Sequence, residues 1–177
     1  MIHGPNVDLR LVEPDDLPEL ARWLSDAEVS GQFERFDQTT LADMAREVGG
    51  GVAWYIVQTK EGAPVGYVNH GRAAGRLWIG FTLLPEARGR GFASEAALLL
   101  VDYLFLHEQV ERIQAETHPE NRSSQRVLEK ASFQLEGRLR RTVFSRGRWR
   151  DTLMYSLLRE EWQQPRLLPA GAPYGSQ

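Results

Sequence analysis

Apolar residues recur along this chain in rhythms that change from segment to segment, and each rhythm predicts an element. Val7, Leu9 and Leu11 alternate with Asp8 and Arg10, the period of a half-buried strand. Pro14 suits the first turn of a helix, and Leu17, Leu20, Ala21 and Leu24 follow at helical spacing. Residues 26–48 are more polar, yet Leu41, Met44, Ala45 and Val48 predict a second helix, broken by Gly49-Gly50-Gly51. Val52 to Val57 is nearly continuous apolar, as a buried strand is. Lys60-Glu61-Gly62 turns the chain, and Pro64 to Asn69 returns as a hairpin partner. Gly71 and Gly75 bracket another turn, and Leu77 to Leu84 forms the next strand.

A helix from about Gly91 to His107 is apolar on most of its surface, with Glu95 and Asp102 as its polar stripe, so it must be covered on more than one side. Ile113, Ala115 and Thr117 then alternate as a strand. Strand, crossover helix and strand make a parallel β-α-β unit. Asn121 can cap a short helix carrying Val127, Leu128 and Ala131. Two strands close the domain, roughly Phe133 to Phe144 and Trp149 to Leu158. The expectation is a single α/β domain over residues 1–162, its sheet mixed and mostly antiparallel around the parallel unit. Residues 163–177, rich in Pro and Gly, should form a flexible or loosely docked tail.

Composition narrows the function. The 177 residues fit one domain with a sizeable core. A net charge of −3 disfavours bulk attraction to nucleic acid or anionic lipid. No cysteine is present, which removes disulfides, thiolate metal sites and a thiol nucleophile together. His3, His70 and His107 show no metal-ligand spacing, so no metal is expected. The first ten residues contain no signal-like apolar run, and no segment reaches the ~18 apolar residues of a membrane span. A cytoplasmic protein that does not engage a membrane is the default.

The chemistry concentrates in Arg88-Gly89-Arg90-Gly91-Phe92-Ala93-Ser94, between a strand and the long helix. Small residues there leave backbone N–H groups uncovered at the positive end of the helix, a place for phosphates, and the two arginines add charge. Each charge-assisted hydrogen bond to a diphosphate is worth roughly 1.5–3 kcal/mol. The pattern is neither a P-loop nor a full dinucleotide fingerprint.

This segment resembles the [QR]-x-x-G-x-[GA] signature of the GNAT superfamily of acetyl-CoA-dependent N-acetyltransferases. The longer run from Leu84 to Ala96 is similar to its Rim-type branch, named for enzymes that acetylate N-terminal amines of ribosomal proteins. Asn121-Arg122-Ser123-Ser124 fits that branch's N-x-x-S, and Val127 to Phe133 fits the segment after it. Glu136-Gly137, Gly147 to Asp151 and Tyr155 to Leu158 continue the likeness. The resemblance implies acetyl-CoA as cosubstrate and direct transfer of the acetyl group to a primary amine. The backbone of Thr82 and Leu83 would meet the pantetheine arm, and the N–H groups of Arg88, Gly89, Arg90, Gly91, Phe92, Ala93 and Ser94 the diphosphate. Asn121 would meet the pantetheine chain. Ser124 would sit near the sulfur as proton donor, and the Leu83 N–H would polarise the carbonyl.

The chain departs from the family pattern at three positions. Leu128 stands where many members carry a tyrosine acid, which favours Ser124. Ser132 replaces the usual glycine before Phe133, and Trp78 stands where many Rim-type members have a glutamate. The general base is left open among Glu116, Glu136, Glu34 and Asp151. Deprotonating a lysine at neutral pH costs about 4–5 kcal/mol and an α-amine only about 1, so a site without a strong base favours a low-pKa amine. A peptide N-terminus or an activated small-molecule amine fits that requirement, and a small-molecule amine such as an antibiotic, polyamine or amino-acid derivative is the competing acceptor because the Rim-type branch that the chain resembles contains both. Phe33, Phe36 and Trp78 are candidates to line the acceptor pocket, whereas Trp54 reads as core. His118 reads as a solvated loop histidine with a base role as the alternative. Arg138, Arg140, Arg141, Arg146, Arg148 and Arg150 read as a solvated edge, with an acidic substrate or RNA as the alternative. A non-catalytic acyl-CoA sensor is the rival function, and a homodimer is among the assemblies left open.

Overall fold

The computed structural model describes residues 1–33, 38–73 and 76–168. Its elements are β1 (Ile2–His3), β2 (Val7–Leu11), a 3-10 turn at Pro14–Asp16, α1 (Leu17–Leu24), α2 (Ala27–Ser30), α3 (Leu41–Gly49), β3 (Ala53–Thr59), β4 (Pro64–Ala73) and β5 (Arg76–Leu83). A second 3-10 turn at Pro85–Ala87 leads to α4 (Phe92–His107), β6 (Arg112–Thr117), α5 (Arg122–Lys130), β7 (Gln134–Ser145) and β8 (Arg148–Leu158). The strands form one sheet in the order β1-β2-β3-β4-β5-β6-β8-β7. β5 and β6 run parallel and the other pairs antiparallel, the mixed α/β sheet that the alternation of strand and helix rhythms predicts. β4 continues through Gly71 to Ala73 rather than turning at Gly71, and Gly75 lies outside the described residues.

Apolar patterning explains the layers. α4 lies on one face of the sheet, and its Leu99, Leu100 and Leu104 are completely buried among Val57, Val68, Leu77, Ile79, Ile113 and Leu157. Burying each leucine stabilises the fold by roughly 1.5–3 kcal/mol. On the opposite face, Leu20 and Trp23 of α1 and Met44 of α3 pack on Trp54 and Ile56 of β3. Among the described residues the strand members of this smaller layer are Trp54 and Ile56 of β3 and Tyr67 of β4.

The two acidic residues of α4 are not a solvated stripe. Glu95 accepts hydrogen bonds from the N–H groups of Asn6 (2.6 Å) and Val7 (2.9 Å), which fixes the start of β2. Asp102 is fully buried and accepts from Trp162 Nε1 (2.9 Å) and from the backbone N–H groups of Arg166 (2.8 Å) and Leu167 (2.8 Å). A buried carboxylate needs donors, and here the chain beyond β8 supplies them. Residues 163–168, expected to be loose with the rest of the tail, are therefore docked on α4, with Leu168 in the core.

β5 and β6 pair only at Leu77↔Ile113 and Trp78↔Gln114. Beyond Trp78, β5 stays paired with β4 as far as Gly66↔Leu83, while β6 stays paired with β8 as far as Thr117↔Leu153. The two central strands thus separate, and the gap between them opens toward the glycine turn.

Candidate active site

The turn after β5 has the geometry its glycines predict. Gly89 (φ 78°) and Gly91 (φ 88°) both adopt the left-handed conformation that side chains disfavour. A Cβ at either would meet nothing within 4 Å, so the backbone conformation and not crowding calls for glycine. Arg88 N–H donates to Pro85 C=O (3.3 Å), and Ser94 N–H to Gly91 C=O (3.1 Å). Between them, the N–H groups of Gly89, Arg90, Gly91, Phe92 and Ala93 have no partner among the described residues. They lie at the N-terminal end of α4, where the helix dipole favours an anion.

These groups open onto a cavity of about 460 Å³ that lies between the end of β5, the turn, the start of α5 and the residues after α2. Its walls include Thr82 and Leu83 of β5, Gly89, Gly91, Ala93 and Ser94 of the turn, Asn121 and Ser124 at the start of α5, and Phe33. Asn121 caps α5: its Oδ1 accepts from Ser124 N–H (3.1 Å) and Ser123 Oγ (2.8 Å). The Oγ of Ser124 has no partner among the described residues and borders the cavity.

Backbone alternation decides which peptide groups of β5 face the gap. Leu84 N–H donates to Val65 C=O of β4 (2.9 Å), and successive residues of a strand point their hydrogen-bonding groups to opposite edges. Leu83 N–H therefore faces the gap, as expected, while the peptide N–H and C=O of Thr82, opposite Tyr67, face β4. Thr82 can meet a ligand with its side chain only, and Phe81 takes its place on the open edge.

The arginines of the turn also differ from expectation. Arg88 donates from Nε to Leu83 C=O (3.1 Å) and from Nη2 to the carbonyls of Glu28 (3.1 Å) and Val29 (2.7 Å). Its guanidinium braces α2 against the turn at the wall of the cavity. Arg90 lies over the Phe92 ring, 4.7 Å from its centroid. Arg126 and Lys130 of α5 also border the cavity. Their i, i+4 spacing behind Asn121 is visible in the sequence, but nothing local tells which face of a short helix turns inward.

A second cavity of about 870 Å³ adjoins the first at Phe33. Glu116, Thr117 and His118 at the end of β6 line it, with Phe144, Arg146, Trp149, Arg150 and Thr152 of the β7–β8 hairpin. Phe33 stacks on His118, with ring centroids 5.1 Å apart. Burial and the neighbouring Arg150, whose Nη1 lies 3.4 Å from Nε2, push the His118 imidazole below its usual range. Trp78 borders neither cavity: a Cβ on Gly71 would lie 2.7 Å from its Cζ2, so the indole covers that strand. Phe36 and Glu34 lie outside the described residues, and Trp54 is core.

The remaining carboxylates separate by their partners. Ser156 Oγ donates to Glu136, and Arg112 binds it at 2.8 Å, so its carboxyl is held low. Asp151 is held low by Arg141 N–H (2.9 Å) and by Arg138 (2.6 Å). Glu116 has no cationic partner among the described residues; it accepts from Thr152 Oγ1 at 2.9 Å and faces the second cavity. Leu128 is buried in the core and offers no acid.

Comparison with known proteins agrees with this arrangement. Residues 6–134 match the family model of the acetyltransferase (GNAT) domain. The uncharacterized N-acetyltransferase p20 of Bacillus licheniformis is 32% identical over 174 residues, 91% of this chain and 97% of that one. The crystal structure of a GNAT-family acetyltransferase from Bacillus anthracis matches with a TM-score of 0.77 at 27% identity, over 90% of this chain and 99% of that one. Mycobacterium smegmatis RimJ, solved in complex with a CoA disulfide, matches with a TM-score of 0.74 at 25% identity, over 92% and 91% of the two chains. No described helix is long and apolar enough to cross a membrane. A glycine turn at the foot of a buried helix, a capped Asn-x-x-Ser segment and a gap between parallel strands all fall within or beside the matched span, and the chain belongs to the GNAT family as an N-acetyltransferase.

Proposed function

We propose that the protein transfers an acetyl group from acetyl-CoA directly to a primary amine of low pKa, a peptide N-terminus or a small-molecule amine. The observation that carries this reading is the run of five N–H groups, Gly89 to Ala93, left without partners at the positive end of α4. The cofactor fits this chain's residues: the run supplies donors for a diphosphate, Arg126 and Lys130 supply charge, and the open edge of β5 supplies peptide groups for an amide-bearing arm. When bound, acetyl-CoA supplies a thioester whose C–S bond breaks as the C–N bond to the amine forms.

The residues around the gap divide the remaining work. Leu83 N–H, aimed at the gap, donates to the carbonyl oxygen and stabilises charge developing there. Ser124 Oγ, whose backbone is fixed by the Asn121 cap, gives a proton to the departing sulfur. Glu116 receives the proton lost by the amine, directly or through one water. Glu136 and Asp151 are unsuited to that task because their partners hold them ionised and occupied. An α-amine gives up its proton to a carboxylate more readily than a lysine side chain does.

A thiol-release screen across peptides, aminoglycosides, polyamines and amino-acid derivatives tests the reading. Turnover is expected for at least one class. Ser124→Ala should lower kcat by about 10²–10⁴-fold with little change in the Kd of CoA. An unchanged kcat would remove Ser124 from the acid role, and CoA binding without turnover of any amine would overturn the transferase reading.

A further inference from the structure

We infer that the second cavity selects an acceptor carrying an anionic group about one residue's length from its amine, with Arg150 as the group that reads the anion. This rests on the proposed transfer reaction and names the class of its acceptor.

Two observations carry it. First, the half-buried Arg150 guanidinium pairs with no carboxylate among the described residues. Its polar contacts are both long, 3.4 Å to His118 Nε2 and 3.4 Å to Ser145 C=O. The acids nearby are otherwise engaged: Asp151 with Arg138, and Glu136 with Arg112. Second, strand register sets a distance. Thr152, which donates to Glu116, and Arg150 are two residues apart on β8, so they share a face at roughly 7 Å. An amine held at Glu116 thus places a group one residue further on beside Arg150.

The field of the cavity points the same way. Arg150, Arg148 and Arg138 all disfavour the protonated form of His118, and they act on an acceptor's ammonium in the same sense. That eases loss of its proton, and it repels a polycation such as a polyamine. The exposed Phe144 and Trp149 rings, packed edge to face at 5.6 Å, give the body of the acceptor an apolar surface.

The test compares kcat/KM, by thiol release, for short peptides with Asp, Gln or Lys at the second position, for the α-amides of aspartate and asparagine, and for spermidine. One charge-assisted hydrogen bond is worth about tenfold or more. We expect the acidic member to exceed its neutral partner by at least about tenfold in the peptide or the amide series, with the favoured series telling a protein acceptor from a small molecule. The ratio should collapse toward unity in Arg150→Gln and shrink as salt is raised. Equal kcat/KM for acidic and neutral acceptors in wild type, or a preference for spermidine, would overturn the inference and leave the transferase reading standing. A ratio that survives in Arg150→Gln would overturn the role of Arg150. Thiol release with no acceptor at all would overturn both readings.

Discussion

Arg88→Ala separates two roles that the sequence alone does not distinguish. The residue sits in the signature turn, where a phosphate contact is the natural expectation. In the structure its guanidinium instead donates to three carbonyls, those of Leu83, Glu28 and Val29. Such bonds contribute about 0.5–1.5 kcal/mol each. Because the side chain is exposed, the three together should lie near the lower end, roughly 1.5–2.5 kcal/mol. Losing them frees α2 and the following residues, Val29 to Phe33, which wall the 460 Å³ cavity. The expected consequence is a loss of about ten- to seventyfold in kcat/KM. It should be equal for acetyl-CoA and for S-acetylpantetheine, which lacks the diphosphate, because the displaced wall serves both. A phosphate contact would instead penalise acetyl-CoA and spare S-acetylpantetheine. That asymmetric result would refute the bracing role.

Other substitutions probe the turn and the scaffold. Gly91→Glu should abolish CoA binding measured by calorimetry, since it adds a negative charge among the free N–H groups and a left-handed strain of about 1–2 kcal/mol; retained affinity would refute the placement of the diphosphate. Ser132 holds φ 69° just after α5, so Ser132→Gly should stabilise by about 0.5–1 kcal/mol after the greater unfolded-state entropy of glycine is subtracted. The melting midpoint should then rise by about 1–4 °C, and a fall would refute the strain argument. Arg10 binds Asp16 through both oxygens, at 2.7 and 2.8 Å, and holds its carboxyl below the ordinary value of 3.8. That contribution is complete above the ordinary value and disappears as pH falls through the depressed one. Asp16→Asn should therefore lower stability near neutrality and flatten the acid limb of a denaturation series; an unchanged acid limb would refute it.

What the sequence makes legible is set by range. Long periodic segments such as Leu17 to Leu24, Val52 to Val57 and Gly91 to His107 announce themselves, because burial of a face imposes the period. The glycines at 89 and 91 and the Asn121 cap are local chemistry, and the structure keeps them in the conformations that chemistry requires. β1, with two residues, and α2, with four, are too short to carry a period. The partners of Glu95 and Asp102, and the two α2 carbonyls that Arg88 binds, lie 59 or more positions away in the chain. For that reason Glu95 and Asp102 read as a wet stripe, when each in fact binds a distant backbone, and the brace from the Arg88 side chain to α2 goes unread. The Arg126 and Lys130 pair was hidden for the same reason, and so was the turning of Thr82's peptide groups toward β4.

The gap between β5 and β6 is rigid because each of its edges belongs to an intact ladder. β4 holds β5 up to Leu83, and β8 holds β6 up to Thr117. Neither strand can swing in to close the gap without breaking hydrogen bonds on its far side, each worth about 0.5–1.5 kcal/mol net. The peptide groups of Phe81 and the N–H of Leu83 therefore stay turned to an open space, while the Leu83 carbonyl accepts from Arg88, and a backbone group left dry and unpaired is costly. Water satisfies them until an extended, amide-bearing ligand lies alongside, adding to β5 as a further strand would. The same separation brings the end of β6, with Glu116, Thr117 and His118, to the far side of that space. One departure from strand pairing, two residues into the parallel ladder, thus sets apart the two cavities proposed for the acyl carrier and the acceptor, with Phe33 the side chain common to both.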